Sequence, residues 1–463
     1  VTLDSYDDIT AARAAYDKLS DNAKTLVGNY ETLTAAEEAL AKAEADVVSN
    51  AIKAIDAIGK VTADSKDKIE KAKDAYSAVP ERLRDKVTNS DTLDKATERF
   101  AVIDTIKQAG TKSEEHFSTV LGTLADNDIY PVQSIGGEWS VIALARAGKL
   151  SADKAAKYYS ELCEAVKANG SDRLSDRKPT ENARVIIALS SIGKNSADIA
   201  GHNLLSGLDD MDYITSQGIN AVIFSLIAFD TTDYSAKTHD ELITYIVDNM
   251  TGKGWALAGD TADVDLTAMA IQALAPYAAD EKVNAAIDSG LEFLAESLDE
   301  NARYANGSES TSQVLIALAA LGIDPLTDSR FIVDGITLID ALESYATENG
   351  YSHTLGGEEN YMATEQAALA LTAYELSKDD SSLYDMSVKN EPATPDEPAN
   401  PDEPVTPGNS SGTPDEPILP GDCSGKPEDK NDPINPGTGV LVTGGMAVLI
   451  SGAVMLVSKK KRK

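Results

Sequence analysis

The chain is 463 residues long and strongly acidic, with 76 Asp and Glu residues against 41 Lys and Arg residues and a formal net charge of -35. This charge repels a phosphate backbone, so it disfavours nucleic-acid binding. With only two cysteines, Cys163 and Cys423, we expect that a disulfide framework is not what holds the protein together, so its 42% of apolar residues must supply the cores of more than one folded unit.

The N-terminal part of the chain contains an internal repeat, because residues 1–40 realign with residues 61–100 at a shift of sixty. The matched pairs include Ile9 with Ile69, Ala12 with Ala72, Tyr16 with Tyr76, Val27 with Val87 and Leu33 with Leu93. The helical spacing of these apolar residues predicts short helices joined by turns. The segment resembles the three-helix repeats of many Firmicutes surface proteins. We predict helical repeats over 1–101 that act as a spacer, with a role as an interaction surface left open.

The central region, residues 102–378, carries a second and looser repeat of apolar helices. The six predicted helices cover residues 139–148, 183–193, 220–229, 267–277, 311–322 and 364–374. They are apolar nearly all round, which is expected of helices covered on most sides. Amphipathic helices alternate with them, predicted over 152–169, 239–250, 280–298 and 331–347. Strand patterns are almost absent, so the predicted class is all-α, and a closed double ring and an open solenoid of helix pairs both fit.

Two inner segments carry a family resemblance. Gly136-Gly137-Glu138-Trp139 and Asp263-Val264-Asp265-Leu266, each with the apolar helix that follows, resemble repeats of the terpenoid-cyclase and prenyltransferase α/α toroid. They are more closely similar to bacterial surface proteins with that toroid, which share its architecture with the cobalamin carriers of animals. The resemblance implies an α/α toroid over 102–378 with a cavity at one end, and it does not by itself imply an activity.

Polar residues concentrate at the beginnings of the predicted inner helices, which meet at one mouth if these helices are parallel. The predicted ligand-binding residues are Glu138, Trp139, Asn182, Asn220, Trp255, Asp263, Asp265, Thr267, Tyr304, Gln313, Tyr351 and Glu365. Three inner helices follow an aromatic residue, a Gly turn and a Thr, a pattern that would line a mouth with rings and hydrogen-bonding groups. In the alternative interpretation the Thr and Asp side chains are ordinary N-caps and the rings cover helix ends.

Possible chemistry centres on the stretch from Asp263 to Leu266. It resembles the DxDD motif of class II terpene cyclases, which implies Asp265 as a candidate general acid beside Asp263, although Leu266 replaces the last Asp. The zinc ligands of prenyltransferases and the cysteine of complement-type thioesters have no counterpart here. We therefore assign no catalytic residue and no metal site. Calcium on Asp260, Asp263 and Asp265, or a corrinoid-like ligand suggested by the carrier resemblance, remains an option.

The C-terminal tail contains several segments of distinct composition. Residues 379–434 are rich in Pro, Asp, Glu and Ser and predict an extended acidic stalk. A short motif follows, Asn435, Pro436, Gly437, Thr438 and Gly439, and after it come an apolar run over 440–457 and a basic end. By composition alone the run could be a permanent membrane anchor.

The order of these elements resembles the sorting signals of sortases, in an NPxTG variant. It implies cleavage between Thr438 and Gly439 and transfer to a peptidoglycan amine, so that residues 435–463 act as a sorting signal.

The sequence thus predicts an extracellular protein attached covalently to a Gram-positive cell wall, with a membrane helix in its precursor and with sortase and peptidoglycan as partners. No charged-then-apolar leader precedes the first helix, so we expect a signal peptide to have been removed. The toroid is predicted to bind a small ligand, a glycan or a host surface without catalysis. Two alternatives stay open: an enzyme that processes a terpenoid or polyprenyl substrate with Asp265 as acid, and a passive adhesin that uses its N-terminal repeats.

Overall fold

A computed structural model describes residues 1–386, which form an all-α protein as predicted. Its α-helices are α1 Tyr6–Asp17, α2 Asp21–Lys24, α3 Tyr30–Asp56, α4 Lys66–Ser77, α5 Ser90–Gly110, α6 Ser113–Ala125, α7 Ile135–Arg146, α8 Ala152–Asn169, α9 Pro179–Ser191, α10 Leu204–Leu208, α11 Met211–Thr215, α12 Ile219–Asp230, α13 His239–Asp248, α14 Val264–Leu274, α15 Glu281–Glu296, α16 Ser308–Ala320, α17 Leu338–Glu343 and α18 Tyr361–Ser377. Isolated β-bridges close a few turns, and residues 1–386 contain no β-strand.

The predicted tail lies almost entirely beyond the described part of the chain. The stalk from residue 387 onward and the sorting signal over 435–463 are outside the described residues, and so is the apolar run over 440–457. Within residues 1–386, no helix combines the length and the apolar character needed to cross a membrane.

The described residues divide into two compact units. The first contains residues 1–116, 298–303 and 324–346, and the second contains residues 117–297, 304–323 and the described residues from 347 onward. Helix α5 continues past residue 101, where the sequence suggested the end of the repeats. Three segments of the predicted central region, residues 102–116, 298–303 and 324–346, therefore belong to the unit that contains the N-terminal helices.

The first unit is organised around the long helix α3, whose 27 residues serve both repeats. Its second half packs on α4 and α5 through Ala51 and Ile55, and Ile58 in the turn after the helix joins the same core; all three are almost completely buried. A smaller cluster joins Ile103 and Ile106 of α5 to Ala302, Ile336 and Ala341. Burial of these branched side chains is the main stabilising term available to this unit.

The second unit is built on six buried helices, α7, α9, α12, α14, α16 and α18. Each of these helices packs against the next one in chain order. The last helix, α18, also packs against the first, α7, so every helix of the set has two neighbours within it. The amphipathic helices α13 and α15 pack on α12 and α14. Helices covered by neighbours on several sides need apolar residues all round, which explains the pattern seen in the sequence.

The inner helices begin at well-defined caps. The Asp263 carboxylate accepts the backbone N–H of Leu266 at 3.0 Å, and the Asn360 side chain accepts that of Ala363 at 3.0 Å. Gly307 precedes α16 with φ of +113°, and a Cβ there would lie 2.5 Å from the carbonyl oxygen of His353. Only glycine combines this backbone angle with so close an approach.

One amphipathic helix is shorter than the sequence predicted. A single helix was expected over 331–347, but α17 begins only at Leu338. Asp334 and Gly335 both have positive φ, and they form a tight turn closed by the bridge between Val333 and Ile336. A left-handed turn of this kind cannot continue a right-handed helix, so the helix starts anew after the Thr337 cap.

Candidate functional site

Four carboxylates are buried near the beginnings of neighbouring inner helices of the second unit, three in the first turn and Glu365 just after it. The exposed fraction of the residue is 0% for Glu138 of α7, 8% for Asp265 of α14, 9% for Glu309 of α16 and 1% for Glu365 of α18. The positive end of a helix dipole stabilises an acidic group in this position. A carboxyl group buried to this extent must either accept hydrogen bonds as an ion or carry a proton. The four residues differ in how they do this.

Glu138 pairs with Arg184 within a complete set of hydrogen bonds, which oppose the rise in its pKa that burial causes. Nε of Arg184 lies 2.9 Å from its Oε2, and the hydroxyl of Tyr158 donates to its Oε1 at 3.1 Å. Its carboxylate also accepts the backbone N–H groups of Gln133 at 2.6 Å and Ser134 at 2.8 Å. Since the carboxylate is already occupied, its direct contribution is to fix a loop and two helices in place.

The glycine before Glu138 has a structural reason. A Cβ on Gly137 would lie 1.8 Å from the carbonyl oxygen of Pro131, so no larger residue fits without moving the loop. This close approach brings the loop amides within reach of Glu138. The Gly-Gly-Glu sequence is thereby explained by packing.

Glu365 is held differently, since one of its oxygens has no partner. The hydroxyl of Ser140 donates to Oε1 at 2.5 Å, while Oε2 is buried without a hydrogen bond. Burial, together with the nearby charge of Glu138, raises the pKa of Glu365 to about 8, against the opposing effect of the hydrogen bond from Ser140. The carboxyl group therefore keeps its proton at neutral pH.

The pKa of Asp265, the candidate general acid, is raised less than that of Glu365. Burial raises its pKa to about 6, opposed by a hydrogen bond from the hydroxyl of Ser310 and supported by the charges of Asp263 and Glu309. Glu309 in turn contacts Nδ1 of His353 at 2.8 Å. Asp263 serves as the N-cap of α14, which matches the alternative interpretation of that residue.

The aromatic residues of the three entering loops are buried. Trp255 and Tyr351 are each 0% exposed, and each donates its backbone N–H to a threonine hydroxyl of the following helix at 3.0 Å, Thr267 for the first and Thr364 for the second. Tyr304 is 2% exposed. These rings cover helix ends, and a ligand would reach them only if the loops opened.

The third loop lacks the threonine contact found in the other two. The hydroxyl of Tyr304 and Oγ1 of Thr311 are both buried without a hydrogen-bond partner. The shared sequence pattern thus produces the same contact in two of its three occurrences.

The remaining predicted residues hold the inner helices together. Asn182 bonds only to backbone groups, accepting from Leu174 at 2.8 Å and donating to Asp172 and Leu204. Trp139 packs against Phe224 with ring centroids 5.6 Å apart. Asn220 is partly exposed in the first turn of α12.

Gln313 belongs to a row of glutamines that crosses three inner helices. Nε2 of Gln272 donates to Oε1 of Gln313 at 2.9 Å, and Nε2 of Gln313 donates to Oε1 of Gln366. At the end of this row, Oε1 of Gln272 is buried and has no partner. An unpartnered buried acceptor is costly unless water or a ligand supplies a donor.

A cavity of about 570 Å³ lies at the opposite ends of the inner helices, where sequence reasoning placed no site. Its walls come from the last turns of α12, α14 and α16, from the end of α18 and from residues 380–385. Those last residues are held by a hydrogen bond of 2.8 Å from Arg146 to the carbonyl of Ser382 and by burial of Leu383.

The cavity has both apolar and acidic walls. Ile227, Ala273 and Ile316 supply apolar surface, and Gln272 with its free acceptor is among the lining residues. Asp230, Asp380 and Asp385 also line it, and no Lys, Arg or His is among the described lining residues. The composition favours a ligand that donates hydrogen bonds or carries positive charge.

An Asp-His-Tyr cluster lies at one side of this cavity. The hydroxyl of Tyr277 donates to Oδ1 of Asp230 at 2.6 Å, and Nε2 of His239 lies 2.9 Å from the same oxygen. Burial raises the pKa of Asp230, and it also raises that of Tyr277 together with the adjacent Asp230 charge. No sequence signal links these residues, because nine and 47 positions separate His239 and Tyr277 from Asp230.

Among the described residues, no group of three or more His, Cys, Asp and Glu side chains could hold a metal ion. Comparison of the chain with models of known protein families, with curated proteins and with solved structures finds no match. Function is therefore inferred from the residues and their geometry.

Proposed function

We propose that the chain is a cell-wall surface protein whose second unit is an α/α toroid that binds a small extracellular ligand without catalysis. The toroid is supported by the six inner helices, whose neighbour relations return from α18 to α7. The surface location, the sortase and the peptidoglycan attachment are supported by the order of the sequence elements from Asn435 to the basic end.

The observation that carries the binding proposal is the cavity of about 570 Å³, whose lining residues include Gln272 with its unpartnered Oε1. Ligand pockets of small molecules span roughly 300 to 1,000 Å³, with apolar walls and a few placed polar groups. A donor on a ligand would satisfy the Gln272 oxygen, while Ile227 and Ile316 would cover an apolar body. Hydrogen bonds among Asp230, His239 and Tyr277 suit a rigid wall better than a reacting group.

The lining indicates the ligand class. Asp230, Asp380 and Asp385 line the cavity together with Tyr277, whose hydroxyl contacts Asp230, and no basic residue is among the described lining residues. Carboxylates and aromatic faces both attract an organic cation. The proposed ligand is therefore an amine or ammonium compound with an apolar body.

Titration calorimetry of the full chain with octylamine, octanol and octanoate tests this proposal. We expect saturable binding of the amine and none of the carboxylate. Ala320→Phe would fill the cavity and weaken amine binding at least tenfold, whereas Ala152→Phe on the exposed start of α8 is the matched control. Absence of saturable binding by the amine and the alcohol would overturn the proposal.

A second candidate function is an enzyme of the terpenoid or polyprenyl type with Asp265 as general acid. The pKa of about 6 favours it, because a buried carboxyl group with a raised pKa can deliver a proton near neutral pH. Turnover of such a substrate that Asp265→Asn abolishes would support this function. A wild-type chain that leaves polyprenyl substrates unchanged would exclude it.

A further inference from the structure

The first repeat carries an open apolar groove. It lies between α1 and the first half of α3 and has a volume of about 550 Å³. Its walls are formed by small and branched apolar side chains: Ile9, Ala12, Leu19, Val27, Leu33 and Ala36. Large apolar side chains are also unusually exposed here, with Leu19 at 38% and Leu26 at 84%.

Each wall residue has a buried counterpart sixty positions later. The counterparts are Ile69, Ala72, Val79, Val87, Leu93 and Ala96, all exposed by 5% or less. Leu19 is 38% exposed, whereas Val79 in the same place of the second repeat is 1% exposed. The two repeats thus present the same surface, and only the second repeat has it covered.

The cover of the second repeat is the second half of α3. Ala51, Ile55 and Ile58 lie in the same core as the counterpart residues, with Val47 and Val48 packed against it. Val47, Val48, Ala51 and Ile55 recur at helical spacing and form one apolar stripe on α3, and Ile58 continues it in the turn just after the helix ends at Asp56. Because this apolar stripe of α3 packs against the second repeat, it is not available to cover the groove of the first repeat.

A polar contact fixes the end of the covering helix. The side-chain amide of Asn89 donates to the carbonyl of Ile52 at 3.0 Å and to Oδ1 of Asp56 at 2.8 Å. Asn29 occupies the matched position in the first repeat, lines the open groove and, like Asn89, makes no side-chain bond to its own helix. The donor for an incoming helix end is therefore already in place.

From this correspondence we propose that the groove of the first repeat is a docking site for an amphipathic helix of the α3 type, supplied by another repeat of this kind. The helix presents small and branched apolar residues in the pattern of residues 47–58. It carries a carboxylate near its end, as Asp56 does, which accepts from Asn29. Tyr30, which stacks on Tyr16 with centroids 4.4 Å apart at the groove, adds a ring where the second repeat has Ser90.

The full chain extended by a second copy of residues 41–60 ahead of Val1 tests the docking site. Because the repeat period is sixty residues, the added helix stands in the same relation to α1 as α3 does to α4. We expect amide hydrogen exchange in α1 to slow at least tenfold, with exchange in α4 unchanged. The control is the same extension with Ile55→Asp and Ile58→Asp in the added copy, which should protect nothing.

Two further outcomes decide the proposal. Asn29→Ala in the extended chain should lose part of the protection, and unchanged exchange in α1 on extension would overturn the proposal. Sedimentation of the unextended chain gives an independent check. A dimer that Leu19→Asp dissociates would make a second copy the occupant and would also overturn it.

Discussion

The hydroxyl oxygen of Ser140 lies 2.5 Å from Oε1 of Glu365, and the other carboxyl oxygen of Glu365 is buried without a partner. Burial raises the pKa of this group in the folded chain to about 8, from a reference value of 4.5. The folded protein therefore keeps a proton that the unfolded chain releases. The resulting stabilisation is complete below pH 4.5 and is lost as the pH rises through 8.

We expect the free energy of unfolding to fall between pH 5 and pH 8.5, and Glu365→Gln to remove a part of this fall on the order of 2 to 4 kcal/mol. Glutamine has the shape of the protonated acid and does not ionise. Urea unfolding of both proteins at the two pH values measures the difference. Parallel pH profiles for wild type and variant would show that Glu365 ionises normally in the folded protein.

A second prediction concerns the buried ion pair of Arg184 and Glu138, whose side chains are 7% and 0% exposed. Arg184→Met leaves a buried carboxylate without its cation, which costs about 3 to 5 kcal/mol. Combining it with Glu138→Gln should recover much of the loss, because no charge then stays buried. Thermal unfolding of the single and double variants checks both statements.

The control for the ion pair is Lys253→Met, since Lys253 forms an exposed pair with Glu296. Its unfolding midpoint should stay close to that of the wild type. Equal losses for Arg184→Met and Lys253→Met would contradict the assigned role of the buried pair.

A third prediction separates the three loops that share an aromatic, glycine and threonine pattern. Thr267→Val and Thr364→Val each remove a hydroxyl that accepts a buried backbone N–H, so each should cost about 1 to 2 kcal/mol. Thr311→Val is the matched control, because its hydroxyl is buried without a partner. It should be neutral or stabilising in urea unfolding, and a loss equal to the other two would refute this distinction.

A fourth prediction concerns the sorting signal, which lies outside the described residues. Thr438→Ala in the full-length precursor, expressed in a Gram-positive host, should abolish release of the protein by a muralytic enzyme and leave it in the membrane fraction. The wild-type protein should appear in the wall fraction without residues 439–463. An unprocessed wild-type protein in the membrane would establish the permanent anchor instead.

The inner helices were predictable from the sequence because burial on several sides favours apolar residues all round the helix. The predicted segments at 183–193 and 220–229 correspond to α9 and α12 with small shifts of their ends. The length of helix α17 was overestimated because the amphipathic sequence pattern continues through Asp334 and Gly335, where the structure has a turn. Their positive φ angles are a feature of the backbone that this pattern does not report.

The polar residues at the helix beginnings were also predictable, but their environment was not. The sequence places Glu138 and Glu365 near the beginnings of inner helices, and the structure gives Glu138 a complete hydrogen-bond network and leaves one oxygen of Glu365 without a partner. The cavity was missed for a related reason. Asp230, Gln272 and Asp380 come together only when distant helix ends and the segment after α18 meet, and no local spacing predicts such a meeting.

The most direct measurement of the binding proposal is a crystal structure of the full chain grown with octylamine. We expect the amine nitrogen within hydrogen-bonding distance of Oε1 of Gln272 or of the Asp230 carboxylate, with the alkyl chain against Ile227 and Ile316. An amine bound at the other end of the inner helices, beside Asp265, would contradict it, as would an empty cavity at saturating ligand.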